Sequence, residues 1–375
     1  MSNFDKKKVL FVCSNEPIPT VTRKVNLLCN HSNFNVHLLY WHRLKSHINF
    51  PVDIPVPENQ IHKVNLLEPN GNIFRRVTMN LFFLGHVVKH INQIKPDYIH
   101  IVNMDIWCEI ALLTFFSRIK LVLDLIDTRS VFHEKRLFKI FINFAFHNTR
   151  LVFITSPLYL SKYLNKFNYA KDTPVVFAPN APEYLDFENF RKKKHSGLII
   201  GYIGAIRGIE GMKSLIQAVK KLRDEGKNIT ILFAGMGRDV NFVHQLCKQY
   251  SFVKFKGSFY YKEIGRFYAQ VDVVYSLYDT NENKQIHMSC RYSDAVICEL
   301  PIMVQKDTYQ AHLVQKYQTG LVVDYKEPDT IYQALNELYS NDNLIKRIEK
   351  KTKSIRQENF FENYANDIIK AYQNI

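Results

Sequence analysis

The chain has 375 residues, long enough for two domains of ordinary size, and its 46% hydrophobic and 23% charged residues are typical of a folded protein rather than a disordered one. A net charge of +15 favours polyanionic partners, either phosphorylated substrates or anionic lipid, and no nucleic-acid-binding motif accompanies that charge. Six scattered cysteines argue against a disulfide framework or zinc site, and the sequence contains neither a signal-peptide pattern nor a run of about 18 apolar residues.

The first half of the sequence alternates short β-rich runs with segments of helical length, as in a parallel sheet flanked by helices. The predicted strands are apolar almost throughout, which is typical of strands buried on both faces. They cover residues 8–13, 34–40, 97–102, 121–126, 151–155 and 174–179. The predicted helices lie near residues 74–94, 104–117, 133–148 and 157–166.

The same alternation restarts after a polar, charged stretch at residues 183–197, which is predicted to be a linker. The second set of predicted strands covers residues 198–204, 229–235, 252–257, 271–277, 301–304 and 320–324. The predicted helices between them cover residues 210–226, 240–250, 261–270, 288–299 and 327–340.

The sequence therefore predicts an α/β fold of two Rossmann-like, doubly wound domains, at residues 1–182 and 198–355. Ligands bind such folds at the carboxyl ends of the strands, so the cleft between the two domains is the expected site. The last segment, residues 356–375, has apolar residues at helical spacing and is predicted to be a helix that packs towards the first domain.

A strand, a glycine turn, an arginine and a helix follow one another from residue 198 onwards. Gly204 allows the backbone to approach a ligand closely. Arg207 stands where the strand gives way to a helix N-terminus, a position suited to a diphosphate. The alternative is a tight turn followed by a surface arginine, and these residues alone do not decide between the two.

Two further segments have similar ambiguity. The turn AGMGRD contains Gly235, but a GxG without a third glycine favours a tight strand–helix connection over a dinucleotide site. Arg291 and Asp294 are three residues apart on a predicted helix and so share one face. The arginine can grip a diphosphate and the carboxylate can accept ribose hydroxyls; the alternative is a solvated ion pair.

In combination, these segments resemble the C-terminal domain of family 4 glycosyltransferases, which have the GT-B fold. GYIGAIRGIEGMKSLIQAV, ITILFAGMGRD and the Asp294 helix with ELPIMV occur in the order typical of that family, and the resemblance covers most of residues 198–340. The opening segment VLFVCSNEPIPTVTRKVNLLCNHSNFNVHLLYWHR resembles the first βαβ unit of a subgroup that acts in bacterial surface-polysaccharide synthesis.

The resemblance implies a donor site for a UDP- or GDP-linked sugar. Gly204 and Arg207 would lie against the donor phosphates, Arg291 would meet the diphosphate, and Asp294 would replace the glutamate that binds the ribose. The donor-binding residues implied in this way are Gly204, Arg207, Gly235, Tyr260, Ser289, Arg291 and Asp294. Tyr260 is expected to pack against the nucleobase.

The catalytic residues implied are Asp127, Arg207 and Arg291, with Asp127 at the strand end where acceptor and donor sugar would meet. The expected reaction is retaining hexosyl transfer without a cofactor or metal, since Asp124 and Asp127 do not form a DxD motif and the histidines lack metal-ligand spacing. The sequence departs from the family pattern at two places: Ile286 stands where a glutamate is usual, and Ile126 where a histidine is usual.

Two segments of the first half, residues 74–90 and 132–150, mix basic with large apolar residues at helical spacing, as interfacial helices do. Such segments also occur as ordinary core helices. The favoured hypothesis is a cytoplasmic enzyme, peripheral on the inner face of the membrane, that uses a saccharide or lipid-linked saccharide acceptor. The alternatives are a nucleotide-sugar epimerase and a non-catalytic, membrane-associated partner protein that has kept the fold.

Overall fold

The computed structural model describes residues 6–44, 54, 56–67, 73–127, 136–167, 173–277 and 285–375. The chain divides into two compact units. Unit 1 consists of residues 1–179 and 364–375, and unit 2 consists of residues 180–363. The segment 183–197, predicted as a linker, lies within unit 2, where Phe187 is buried among core residues.

Unit 1 is built on a parallel sheet whose strands run in the spatial order β3-β2-β1-β4-β5-β6-β7. The strands are β1 Lys7–Cys13, β2 Phe34–Leu44, β3 Ile61–Leu67, β4 Tyr98–Val102, β5 Lys120–Leu125, β6 Thr149–Ile154 and β7 Val175–Phe177. The helices are α1 Pro19–Cys29, α2 Ile73–Ile94, α3 Trp107–Leu113 and α4 Arg136–Asn148. A short irregular helical stretch covers Tyr159–Lys166.

Unit 2 has a second parallel sheet in the order β10-β9-β8-β11-β12-β13. Its strands are β8 Leu198–Ile203, β9 Ile229–Ala234, β10 Val253–Phe255, β11 Val273–Ser276, β12 Ile302–Gln305 and β13 Gly320–Val323. Its helices are α5 Ile209–Asp224, α6 Val240–Gln249, α7 Ile264–Tyr268, α8 Cys290–Ile297, α9 Tyr309–Tyr317, α10 Pro328–Ser340 and α11 Asp342–Ile355. The last helix, α12 Glu362–Gln373, carries the chain back into unit 1.

Both sheets have the doubly wound strand order, in which the chain starts in the middle of the sheet and extends it first in one direction and then in the other. The predicted α/β class with two Rossmann-like units is confirmed. Strand β3 lies at the sheet edge and was missed, because its apolar residues Ile61, Val64, Leu66 and Leu67 form neither a continuous apolar run nor a strict alternation. Within the parts of the chain that the structure describes, no helix is long and apolar enough to cross a bilayer.

A network of polar side chains lies at the centre of unit 1. Lys24 on α1 donates to both carboxylate oxygens of Asp124 on β5, at 2.7 and 2.6 Å. Nε2 of His100 on β4 lies 3.2 Å from the same carboxylate, and its Nδ1 contacts the Tyr372 hydroxyl on α12. All four side chains are fully buried. Because a carboxylate can only accept, we infer that His100 is protonated on Nε2 and accepts the Tyr372 proton on Nδ1.

Burial alone would raise the pKa of Asp124, but the Lys24 ammonium and the His100 ring outweigh this effect and hold its pKa below the ordinary value. Asp124 is thus an ionised partner of Lys24. The relative exposure of Asp124 is 0%. The network therefore connects three parts of the chain that are far apart in the sequence: residue 24, residues 100–124 and the C-terminal helix.

Candidate functional site

The carboxyl end of β8 in unit 2 holds the glycine turn that the sequence singles out. Strand β8 lies between β9 and β11, which is the point where the strand order of this sheet reverses. Ligands of doubly wound sheets bind outside such a point. Gly204 has φ +107°, a conformation that side chains with a Cβ rarely adopt, and a Cβ placed there would lie 3.8 Å from Nε of Arg291. The structure therefore brings Gly204 and Arg291 together.

Arg291 is the side chain that holds this turn in place. From the second position of α8 its Nε donates to the carbonyl of Ile203 at 2.7 Å, and its Nη2 donates to the carbonyl of Ala205 at 2.6 Å. The guanidinium carbon lies 4.1 Å from the centre of the Tyr202 ring, a cation–π arrangement. Only 6% of Arg291 is exposed. The site thus contains a positive charge that is fixed in orientation by two backbone carbonyls.

Arg207 follows the same turn and is half-buried. Its backbone carbonyl accepts a hydrogen bond from the Tyr202 hydroxyl at 2.5 Å, so Tyr202 joins the Arg207 backbone to the guanidinium of Arg291. Helix α5 begins two residues later behind Gly208, whose φ is +91° and whose N–H donates to Asp239. The first-turn amides and positive dipole end of α5 are therefore next to Arg207.

The turn with Gly235 packs directly against the Gly204 turn. The N–H of Gly204 donates to Ala234, and the N–H of Ile206 donates to Met236. Gly235 has φ +131°, and a Cβ there would overlap the carbonyl oxygen of Gly204. A Cβ at Gly237 would likewise overlap the carbonyl oxygen of Ile206. The interpretation of this segment as a tight strand–helix connection is therefore supported by a packing role for both glycines.

Replacing Gly235 with alanine is expected to lower the free energy of unfolding by about 2 kcal/mol or more, because the new methyl group adds a steric overlap to an unfavourable φ. Gly226 is the matched control, since its φ is +86° but a Cβ there meets nothing within 4 Å; Gly226→Ala should lower it by only about 1 kcal/mol. Urea denaturation of both variants measures the difference. Equal losses in the two would contradict the close packing of the turns.

Asp294 lies one turn beyond Arg291 on α8 and is 1% exposed. Its two oxygens accept hydrogen bonds from the hydroxyls of Tyr261 at 2.8 Å and Tyr268 at 3.1 Å. A solvated Arg291–Asp294 ion pair, the alternative drawn from the sequence, is excluded by the burial of both side chains. The hydroxyl of Ser289, predicted to bind donor, accepts from the N–H of Arg291 at 3.3 Å and thereby caps α8.

Tyr260 remains accessible, with 44% of its surface exposed at the carboxyl side of β10. Its N–H donates to Glu263 at 3.1 Å, which fixes the backbone, and the Lys262 ammonium lies 5.6 Å from its ring centre. An exposed aromatic ring on a fixed backbone can stack against a nucleobase. Its predicted role there stays a prediction.

In unit 1, Asp127 lies just past the carboxyl end of β5 and is exposed. Asn103, just past β4, holds this segment: its side-chain oxygen accepts from the N–H of Ile126 at 3.1 Å and of Asp127 at 2.8 Å. Asn103 itself has φ +63°, a conformation in which asparagine is more frequent than most residues. The position of Asn103, a polar residue directly after the strand residues IHIV, could have indicated this role from the sequence.

A second polar cluster also lies at the carboxyl ends of the strands of this sheet, beside the switch point between β1 and β4. Ser14, after β1, donates to Asp105 at 3.1 Å, and its carbonyl accepts two bonds from the Arg43 guanidinium at 3.2 and 2.9 Å. His42 contacts Glu16 nearby. Sequence reasoning missed these residues because they lie far apart in the chain. Among the described residues, no group of three or more His, Cys, Asp or Glu side chains is arranged to hold a metal ion.

Comparison with known proteins gives a family match within the second unit. Residues 186–355 match the family described as glycosyl transferases group 1. No curated protein matches the sequence. Solved structures are similar over nearly the whole length of the chain.

HepE from Anabaena, solved in complex with UDP and glucose, has 16% sequence identity and a TM-score of 0.71, and the match covers 98% of this chain and 100% of HepE. Sucrose-phosphate synthase from Thermosynechococcus elongatus has 12% identity and a TM-score of 0.71, with 98% and 99% covered. UDP-GlcNAc 2-epimerase from Neisseria meningitidis, bound to UDP-GlcNAc, has 12% identity and a TM-score of 0.65, with 98% and 100% covered. These likenesses establish a GT-B fold.

Proposed function

We propose that this chain, whose residues 186–355 match the family described as glycosyl transferases group 1, transfers a hexosyl group from a UDP- or GDP-linked donor to a saccharide acceptor. The observation that carries the proposal is the Arg291 guanidinium, held by the carbonyls of Ile203 and Ala205 against the glycine turn at the carboxyl end of β8. HepE, with the same fold, has been solved with UDP-glucose, which supports a nucleotide-sugar donor.

The chemistry follows from the charge that the leaving group develops. As the bond between the anomeric carbon and the β-phosphate oxygen breaks, negative charge grows on the departing diphosphate. Arg291, Arg207 and the N-terminal amides of α5 are the groups that would stabilise it, and a positive charge fixed before the reaction stabilises it without reorganisation. With these groups in place, we propose that neither a metal nor a cofactor takes part. Retention of the anomeric configuration is part of the same proposal.

Two further roles belong to this proposal. Asp294 is buried and accepts from Tyr261 and Tyr268, so it would act on the donor ribose through the half-buried Tyr261, and Tyr260 would stack on the base. Asp127, held by Asn103, would orient the acceptor hydroxyl or accept its proton. We further propose that the acceptor is lipid-linked, that the enzyme acts in cell-surface polysaccharide synthesis, and that it works at the cytoplasmic face of the membrane.

The test is to measure thermal unfolding with UDP, GDP and their sugars, followed by release of nucleotide from each stabilising donor. We expect one nucleotide to raise Tm and its sugar conjugate to be hydrolysed slowly when water replaces the acceptor. Interconversion of two UDP-sugars without nucleotide release would instead establish an epimerase. Nucleotide binding without turnover of any donor would favour a non-catalytic partner protein, and no binding at all would overturn the donor site.

A further inference from the structure

Exposed large apolar side chains are concentrated on one part of unit 1. Eleven of them lie on α2, on α3 with the turn that follows it, and on α4. They are Phe74, Val77, Leu81, Phe82, Val88, Leu112, Leu113, Phe115, Phe116, Ile140 and Phe141. Phe116 is 98% exposed, and Phe74 is 78% exposed. A concentration of exposed apolar side chains of this kind is more typical of a docking site than of ordinary protein surface.

The topology places these elements side by side. Helices α2, α3 and α4 connect strands that follow one another in the same direction across the sheet, so right-handed crossovers put all three on the same face. Helix α3 contacts both α2 and α4. The Phe115 ring lies 4.9 Å from that of Phe144 on α4 and 5.0 Å from that of Phe116. We call these three helices and residues 114–119 the α2–α4 surface.

The charge of the α2–α4 surface has one sign at its exposed positions. Helix α2, residues 114–119 and helix α4 contain no aspartate or glutamate, and the one acidic residue of α3, Glu109, is half-buried. The exposed charged residues on them are Arg75, Arg76, Lys89, Arg118 and Lys139. A surface that combines exposed phenylalanine and leucine with basic residues is complementary to an anionic bilayer, because the apolar groups enter the acyl region while the cations remain among the headgroups.

A cavity of about 400 Å³ opens between the last turns of α2 and the end of α3. Its walls include Val88, Ile91, Leu113 and Ile119, and the basic residue Lys95 also lines it. The polar side chains of Asn92, Thr114 and Ser117 complete the lining together with Pro96. A half-open, mainly apolar pocket of this size with one cation can accept part of a hydrocarbon chain beside an anionic headgroup.

We propose that the α2–α4 surface lies on an anionic lipid bilayer, with Phe116 inserted and the cavity beside Leu113 occupied by a lipid acyl chain. This inference rests on the proposed membrane location and adds the contact surface and the class of ligand. Residues 114–119 were in neither segment that the sequence suggested as interfacial; residues 132–135 of the second segment lie outside the described residues.

Vesicle binding tests the proposal. With the full chain and phosphatidylcholine vesicles containing 30 mol% phosphatidylglycerol, we expect Phe116→Ser to weaken binding at least tenfold. Lys89→Gln should weaken it about fivefold and reduce its salt dependence. Leu185→Ser, which changes a 72% exposed leucine of unit 2, is the matched control and should bind as the unaltered protein does. Unchanged binding of Phe116→Ser, or equal binding to pure phosphatidylcholine, would overturn the proposal.

Fluorescence tests the acyl-chain contact directly. Both native tryptophans, Trp41 and Trp107, are fully buried. A Leu113→Trp variant should be quenched by phospholipid brominated along its acyl chains, whereas Leu185→Trp should not. Absence of quenching in Leu113→Trp would refute the acyl-chain contact.

Sedimentation tests the alternative that the surface is a contact between two copies of the chain. A dimer that Phe116→Ser dissociates, with no vesicle binding, would establish that alternative and overturn the proposal. The rise in Tm of Phe116→Ser with the nucleotide that stabilises the unaltered protein is measured alongside. That measurement distinguishes a failure of the membrane proposal from a failure of the proposed donor site.

Discussion

Replacing Asp124 with asparagine is expected to lower the free energy of unfolding by about 3–5 kcal/mol. The substitution keeps the shape of the side chain but removes the charge, which leaves the Lys24 ammonium fully buried without its carboxylate partner. An uncompensated charge in a low-dielectric interior is far less favourable than an ion pair in the same place. Denaturant unfolding followed by circular dichroism measures the loss.

Two controls separate burial from charge. Asp329 pairs with Lys221 on the surface of unit 2, where the two side chains are 83% and 54% exposed, so Asp329→Asn should lower the free energy of unfolding by less than about 1 kcal/mol. The double variant Lys24→Met with Asp124→Asn removes both charges and should recover much of the stability lost in Asp124→Asn. A loss below about 1 kcal/mol for Asp124→Asn would contradict the buried pair.

Replacing Arg291 with alanine is expected to lower kcat for sugar transfer by about 10²–10³-fold, the usual effect of removing one preorganised donor to a developing negative charge. Lysine at this position keeps the charge but cannot donate in the planar fork that reaches both Ile203 and Ala205, so Arg291→Lys should also be impaired. The measurement is nucleotide release from the donor that stabilises the unaltered protein.

Because Arg291 also donates hydrogen bonds to the glycine turn, its replacement can lower the folded fraction, so activity must be expressed per folded molecule. Far-UV circular dichroism and Tm give the folded fraction, and Arg347→Ala, which removes an exposed arginine of α11, is the matched control with unchanged activity. If folded Arg291→Ala retained full kcat, the arginine would be a structural brace only, and the proposed stabilisation of the leaving group would be wrong.

The repeated alternation of apolar runs and helical segments predicted the two sheets, because strands buried on both faces in a parallel sheet have to be apolar throughout. The glycine turn at Gly204 and the arginine at residue 291 were also visible in the sequence. The edge strand β3 was not, since its sequence IHKVNLL has neither the continuous apolar run of a buried strand nor the strict alternation of a half-buried one. Helix α11 was likewise absent from the predicted elements.

What the sequence by itself determined was the class of fold, most of the buried strands and the glycine turn at Gly204, since strand burial, glycine and helix periodicity are local patterns. What only the tertiary structure decided was which side chains meet. Arg291 contacts the end of a strand 88 residues away, and Asp124 pairs with a lysine 100 residues away. Such pairs form because distant elements pack against each other, and their separation in the sequence follows no period that could be recognised beforehand.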